Sequence, residues 1–413
     1  MIYPISYLLD QFLNMISGFG FMGLSLILCG VIFAQCFRGS ATTEDTQSPP
    51  STRSIYIALG VTIWALLAAY NAPSCGPTFK GLFSILLVWV VFLLWPILDF
   101  SKIVCNSKIS SFILIVSAIA LVAQLFNWGL LSYFWKFNKP SGLFTEPSHV
   151  AMYLLPLIGY RLIKNNKDWL ALGLTLFICI YFNSATFSVG LILIALVIGL
   201  RKFIYFENKK KFLMYALGLS AFAVLLIIFG YFDISILTER IAAILLTIYR
   251  ADPAGITNAS AIVWLNGWSQ AYDTLWVTHG LGLGLNQMGC GDFANIGRFS
   301  DHISLWTGGV VLNWNDGSFL ISKLVSELGV AGLVVVSYLI YRSYLAISSY
   351  IISGDDKNAS IAPLLAINAI GGICMLLLLF IRSNGYFLEP VILDLSLLLL
   401  ASRADKPKVE RAI

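Results

Sequence analysis

The 413-residue chain is 58% hydrophobic and carries charge at only 11% of its positions, against roughly 25% in an ordinary soluble domain. That composition excludes a soluble globular enzyme and predicts an all-α, polytopic membrane protein, a single integral membrane domain over 1–413. The net charge is only +5 and the seven cysteines form no CxxC or ligand-like cluster, so no metal, cofactor or nucleic-acid partner is expected.

Residues 2–16 are short for a span and contain Asp10, which suits an interfacial helix or a short first crossing. A spanning helix needs about 20 mainly apolar residues. Such runs lie near 18–37, 55–72, 81–99, 109–126, 148–163, 168–184, 188–204, 212–230, 325–346, 361–380 and 387–402. The expected count is eleven transmembrane helices, or twelve if the first segment crosses. The Ser-, Thr- and Pro-rich stretch 38–54 reads as a solvated cytoplasmic linker.

Lysine and arginine gather at alternate connections: Arg38 and Arg53, Lys102 and Lys108, Arg161 and Lys164, Arg201 and Lys202, Lys357, and the tail from Arg403. Cytoplasmic connections are enriched in these residues, so one topology places them all, with the C-terminus, in the cytoplasm. The opposite, external face then receives 73–80, 127–147, 183–187, 381–386 and the long loop 231–318. Cys75 and Cys290 share that face, so a disulfide between them can form. The N-terminus has no positive n-region or small-residue cleavage site, so no cleavable signal peptide is expected. Ionisable residues inside the apolar runs are few, chiefly Asp394 and the pair Lys323 and Glu327. Ion-coupled carriers place such groups near the midplane, and the scarcity argues against a pump.

The loop 231–318 concentrates the polar chemistry. It holds Arg240, Arg250 and Arg298, no lysine, His279 and His302, and five of the eleven tryptophans. Trp264, Trp268 and Trp276 with Tyr272 suggest an amphipathic helix lying at the membrane interface. The run Gly280-Leu281-Gly282-Leu283-Gly284 follows no Rossmann strand and reads as a tight, flexible turn. Arg298 and His302 share a face if their segment is helical.

Two further clusters lie on the same side. At 142–149, Pro147 marks a helix start. Glu146 before it either complements the helix dipole or serves as a partly buried proton acceptor, with Ser148 beside it. The tight connection 381–390 carries Arg382 and Tyr386. Arginine grips phosphate oxygens in two-pronged fashion, so arginines converging beside a bilayer suit a pyrophosphate whose lipid tail stays in the membrane.

In these residues the chain resembles the O-antigen polymerase and O-antigen ligase superfamily of bacterial inner membranes. The likeness spans the whole architecture and is sharpest over about 262–333. There Val263-Trp264-Leu265-Asn266-Gly267-Trp268 precedes the glycine run. Asn315-Asp316-Gly317-Ser318-Phe319-Leu320 follows, then Glu327-Leu328-Gly329-Val330-Ala331-Gly332-Leu333. Phe144-Thr145-Glu146-Pro147-Ser148 looks like a short motif of the polymerases.

The resemblance implies a C-type glycosyltransferase-like architecture with about 11–12 transmembrane helices and one large periplasmic loop. It implies transfer of a glycan from undecaprenyl pyrophosphate onto the non-reducing end of another lipid-linked repeat unit, in lipopolysaccharide or other surface-polysaccharide biosynthesis. On that reading Arg298 and Arg382, with Arg250 third, clamp the pyrophosphate. Glu146, then His302, are the candidate bases. Asn315, Ser148 and Tyr386 support the acceptor, and Asp316 orients it or caps the following helix. Implied partners are the undecaprenyl-pyrophosphate-linked oligosaccharide, membrane lipids, a chain-length regulator and a flippase. Ligases place a His-Asn pair where this chain has Asn315-Asp316, which favours a polymerase. The alternatives are a ligase that acts on lipid A core, a lipid-linked glycan flippase or other transporter, and a non-catalytic assembly factor.

Overall fold

A computed structural model describes residues 52–72, 74–75, 79–94, 104–125, 147–164, 168–182, 184–205, 259–293, 296–307, 317–353, 362–383, 385 and 389–399. The helices are α1 (Thr52–Asn71), α2 (Phe79–Leu94), α3 (Ser107–Leu125), α4 (Pro147–Lys164), α5 (Trp169–Phe182), α6 (Ala185–Tyr205), α7 (Ala259–Val277), α8 (Ser300–Trp306), α9 (Leu320–Ile352), α10 (Ala362–Phe380) and α11 (Glu389–Leu399), with a 3-10 turn at Gly291–Phe293. No strand occurs among the described residues. The fold is all-α, and its helices follow the apolar runs within a few residues. The expected segments 2–16, 18–37 and 212–230 lie outside the described residues, as does the linker up to residue 51. The linker's last three residues belong to α1, which starts at Thr52.

Among the described residues three helices are long and apolar enough to cross a membrane: Thr186–Tyr205, Leu320–Ile352 and Pro363–Phe380. Helix α10 sits at the centre, against α9, α11, α4 and α6. Small residues make the close approaches. A Cβ on Gly371 would lie 2.6 Å from the Leu398 amide, and one on Gly372 would lie 3.1 Å from the Ser343 carbonyl. Where apolar side chains gain nothing by leaving lipid, close backbone packing of this kind holds helices together.

The bundle has two chemically distinct ends. At one, Arg161 of α4 forms a 2.7 Å ion pair with Asp168 and donates to Ser111 (2.5 Å). Arg201 of α6 covers the Tyr350 ring at 4.2 Å, and the Tyr205 hydroxyl donates to the Ile352 carbonyl. At the other end α7 and the segments around it lie across the start of α9 and the end of α10. This second end, the loop end, holds every candidate site segment that the structure describes.

Candidate functional site

The loop end is built around a break in α9. Apolar periodicity runs straight through 320–352, yet Gly329 has φ 57° and ψ −128° and interrupts the helix. A continuous helix would pair the carbonyls of 326, 327 and 328 with the amides of 330, 331 and 332. Instead the glycine run is laid into the gap. Leu283 N–H donates to Ser326 O (3.0 Å), Gly284 N–H to Glu327 O (2.8 Å), and Val330 N–H to Gly280 O (2.8 Å). The indole of Trp64 on α1 donates to Leu328 O (2.8 Å). The three carbonyls freed by the break and the Val330 amide therefore have partners, as buried backbone requires.

Glycine is required at this contact. Gly280, Gly282 and Gly284 have φ of 84°, 82° and 95°, the left-handed region that a Cβ disfavours. A Cβ on Gly282 would lie 2.5 Å from Glu327 O and 2.6 Å from Gly329 N. The run expected to be a flexible turn is therefore a bonded inlay.

Glu327 locks it from below. Its carboxylate is wholly buried, pairs with the buried Lys323 ammonium at 2.9 Å, and accepts the Asn286 (2.7 Å) and Met288 (3.2 Å) amides. A Cβ on Gly385, in the connection that carries Arg382, would lie 3.7 Å from the Lys323 stem. A disulfide, Cys75–Cys290, ties the far end of the loop to the residues after α1. The free cysteines among the described residues are Cys105, Cys179 and Cys374. Because the bridge constrains a very long stretch of unfolded chain, Cys290→Ser should cost about 2–4 kcal/mol. Thermal unfolding in detergent checks this. A melting point equal to that of the oxidised wild type would show that the staple contributes nothing.

Helix α7 is covered on two sides. Asn266, Gln270, Thr274 and Thr278 recur every fourth residue and are all buried, so they share one face. That face receives the loop's return: the Asn266 carbonyl accepts the Phe299 amide (3.1 Å), and the Thr278 hydroxyl accepts the Gly282 amide (3.0 Å). The tryptophan stripe divides. Trp264 and Trp268 pack on Phe319, and Trp268 also on Phe380. Tyr272 and Trp276 remain exposed and meet edge to face at 6.3 Å. The interfacial reading thus fits the second half of α7, while the first half is core.

Arg298 and Arg382 lie on segments that α7 joins. The Arg298 amide donates to Ser269 (2.6 Å), and the next residue, Phe299, belongs to the apolar cluster against which Trp264 packs. The Trp264 indole donates to the Phe380 carbonyl (2.7 Å), two residues before Arg382. The Ser383 amide donates to Ser318 O (2.8 Å), and the Ser318 hydroxyl faces Val263 O (3.4 Å). Arg298 is exposed and Arg382 half-buried.

Two expectations are corrected. Helix α8 begins at Ser300 after the cap residue Phe299, because Asn266 and Ser269 hold the 298–299 amides outside the helix. Arg298 therefore precedes the helix that carries the half-buried His302, and their shared helical face does not form. The N-cap position of α9 is held by Phe319, with no side-chain cap, and not by Asp316. Glu146, Arg250, Asn315, Asp316 and Tyr386 lie outside the described residues. Ser148 is half-buried in the first turn of α4, which starts at Pro147 as expected.

One further polar group stands apart. Asp394 of α11 is 1% exposed, and neither carboxyl oxygen has a hydrogen-bond partner among the described residues. A buried polar atom left unsatisfied costs about 1–3 kcal/mol. Asp394 borders a small cavity with Met152 and Leu155 of α4, Thr186 of α6, and Cys374 and Leu377 of α10. Among the described residues no group of three or more His, Cys, Asp or Glu is placed to hold a metal ion. The chain matches no protein-family model, no curated protein and no solved structure.

Proposed function

We propose that this protein is a surface-polysaccharide polymerase of the O-antigen type. It moves a glycan from undecaprenyl pyrophosphate to the non-reducing end of another lipid-linked repeat unit, at the periplasmic face of a bacterial inner membrane. The observation that carries the reading is the joining of the Arg298 and Arg382 segments through α7 at one end of an apolar bundle. Ser269 and Trp264, the two anchor points, are five residues apart on that helix, about 7.5 Å along its axis. Two guanidinium groups on segments so joined suit a pyrophosphate at the bilayer surface, with Arg250 a third candidate.

The orientation has its own support. The disulfide belongs to an oxidising compartment such as the periplasm, and Arg161, Lys164, Arg201 and Lys202 lie at the opposite end, as cytoplasmic cations do. In the reaction a hydroxyl of the acceptor sugar loses its proton and attacks the anomeric carbon of the donor. The bond from that carbon to the pyrophosphate oxygen breaks, and the arginines meet the charge that develops. A carboxylate or an imidazole takes the proton: Glu146 on the sequence reading, with His302 behind it.

Removing one such donor typically costs 10²–10³ in turnover. In cells lacking the protein, Arg298→Ala or Arg382→Ala should therefore fail to restore the long glycan ladder and leave core plus one repeat unit. A ladder of normal length from the double variant, expressed at the wild-type level, sinks the clamp. Loss of every glycan-bearing band, with lipid-linked polymer accumulating, would mean a ligase instead.

A further inference from the structure

Among the described residues from α7 to α9, the carboxylates are Asp273, Asp292, Asp301 and Glu327. Glu327 is wholly buried, and its oxygens are taken by Lys323 and two amides. Asp292 belongs to the 3-10 turn beside the disulfide, at the end of the loop tied to the residues after α1. Asp301 is exposed in the first turn of α8. Of these four, Asp273 is the one bonded to an anchor of the arginine segments. Its Oδ2 accepts the Ser269 hydroxyl (2.9 Å), and the same Ser269 oxygen accepts the Arg298 amide (2.6 Å). A hydroxyl has one proton to give and two lone pairs to offer, so Ser269 serves both partners at once. This is the one hydrogen bond of Asp273 among the described residues, and the side chain is only half-buried. Its Oδ1 stays open to a ligand.

Position adds to the chemistry. Trp264, Ser269 and Asp273 follow one another along α7, about 7.5 Å and then about 6 Å apart on its axis. The Arg382 segment is bonded at the first and Arg298 at the second, and the carboxylate stands at the third. A clamped pyrophosphate, the anomeric carbon it carries and an attacking hydroxyl would take that order. Tyr272 and Trp276, exposed beside Asp273, suit the membrane interface, the level at which a lipid-linked pyrophosphate presents its sugar.

We propose that Asp273 is the general base of the transfer, a role the sequence reading gave first to Glu146. The inference rests on the polymerase reading. Asp273 Oδ1 takes the proton of the acceptor hydroxyl as that oxygen forms its bond to the anomeric carbon. The bond from the carbon to the pyrophosphate oxygen breaks, the pyrophosphate leaves with the electron pair, and Asp273 then gives its proton to water. Ser269 holds the carboxylate and the Arg298 segment together, so base and clamp keep their spacing. Glu146 then serves the α4 N-terminus through the helix dipole.

The test uses the full chain in proteoliposomes, with lipid-linked repeat units extracted from cells lacking the protein. Asp273→Asn keeps an oxygen for the Ser269 hydroxyl and removes the charge. It should melt with the wild type, hold KM for the lipid-linked unit within twofold, and lower kcat about a hundredfold. Asp273→Glu should recover part of the rate. Added formate, a small carboxylate, should speed Asp273→Ala and leave Arg382→Ala unchanged. Asp301→Asn should turn over within twofold of wild type. A loss of less than tenfold in Asp273→Asn overturns the inference. So does a rise in KM at unchanged kcat, which would make Asp273 a binding group only, and so does a lower melting point, because the carboxylate would then be serving the fold. If Arg298→Ala and Arg382→Ala are inactive while Asp273→Asn is active, this inference alone falls. If all three are active, the polymerase reading falls with it.

Discussion

Gly282→Ala lowers the unfolding free energy by about 3–5 kcal/mol. An alanine at φ 82° costs roughly 1–2 kcal/mol from its own backbone. The added methyl also meets Glu327 O and Gly329 N at 2.5 and 2.6 Å, and backbone atoms cannot step aside as a flexible side chain can. The inlay must lift, and the bonds from Leu283 to Ser326 and from Gly284 to Glu327 are lost in a place water does not readily reach. Each unmatched group there costs about 1–3 kcal/mol. Gly60→Ala on α1 is the control. Nothing lies within 4 Å of its added methyl, and a helical glycine replaced by alanine stabilises by about 0.5–1 kcal/mol. Detergent unfolding followed by tryptophan fluorescence compares the global stability of the two variants. Equal melting points for Gly282→Ala and wild type would mean that the glycine run does not occupy the α9 break.

The second large effect belongs to the buried ion pair. Glu327→Ala should cost about 3–5 kcal/mol, because it leaves the Lys323 ammonium buried without its counter-charge and the Asn286 and Met288 amides without their acceptor. The double variant Lys323→Met, Glu327→Gln should recover most of that loss. It removes the stranded charge and keeps a carbonyl for one of the two amides. The diagnostic quantity is the difference between single and double variants in melting point. If the double variant is no more stable than Glu327→Ala, the pair's electrostatics is not what holds the loop. Because the Lys323 stem lies near Gly385, three residues after Arg382, loosening this pair should slow turnover as well as lower stability.

The two effects mark where sequence reading stops. The helices themselves were legible: the apolar runs placed α4, α5, α6 and α10 within a few residues, and Pro147 announced the start of α4. The break in α9 was not. Gly329 sits in the apolar run that follows Glu327, and a single glycine there is compatible with an uninterrupted helix at a cost near 1 kcal/mol. The groups it frees pair with the glycine run, 50 residues upstream for Val330 and Gly280, and with Trp64, 264 upstream of Leu328, and no local pattern carries such pairings. The role of Asn266 was hidden in the same way, inside a stretch dominated by its tryptophans. Lys323 and Glu327 were visible as an i,i+4 pair, but their burial was not.

For the site, residue chemistry picked out the arginines and the segments that bear them. It also placed Cys75 and Cys290 on one face, where the structure joins them. A shared face for Arg298 and His302 required a helix over both, and α8 starts only at Ser300, because side chains of α7 capture the 298 and 299 amides. By itself the sequence determined an all-α, apolar chain with its cations gathered away from one polar loop, since hydropathy and charge act residue by residue. Only the tertiary structure decided that the loop completes a broken helix and that Asp394 is buried without a partner among the described residues. Both depend on which backbone and side-chain groups are left unmatched once the helices have packed.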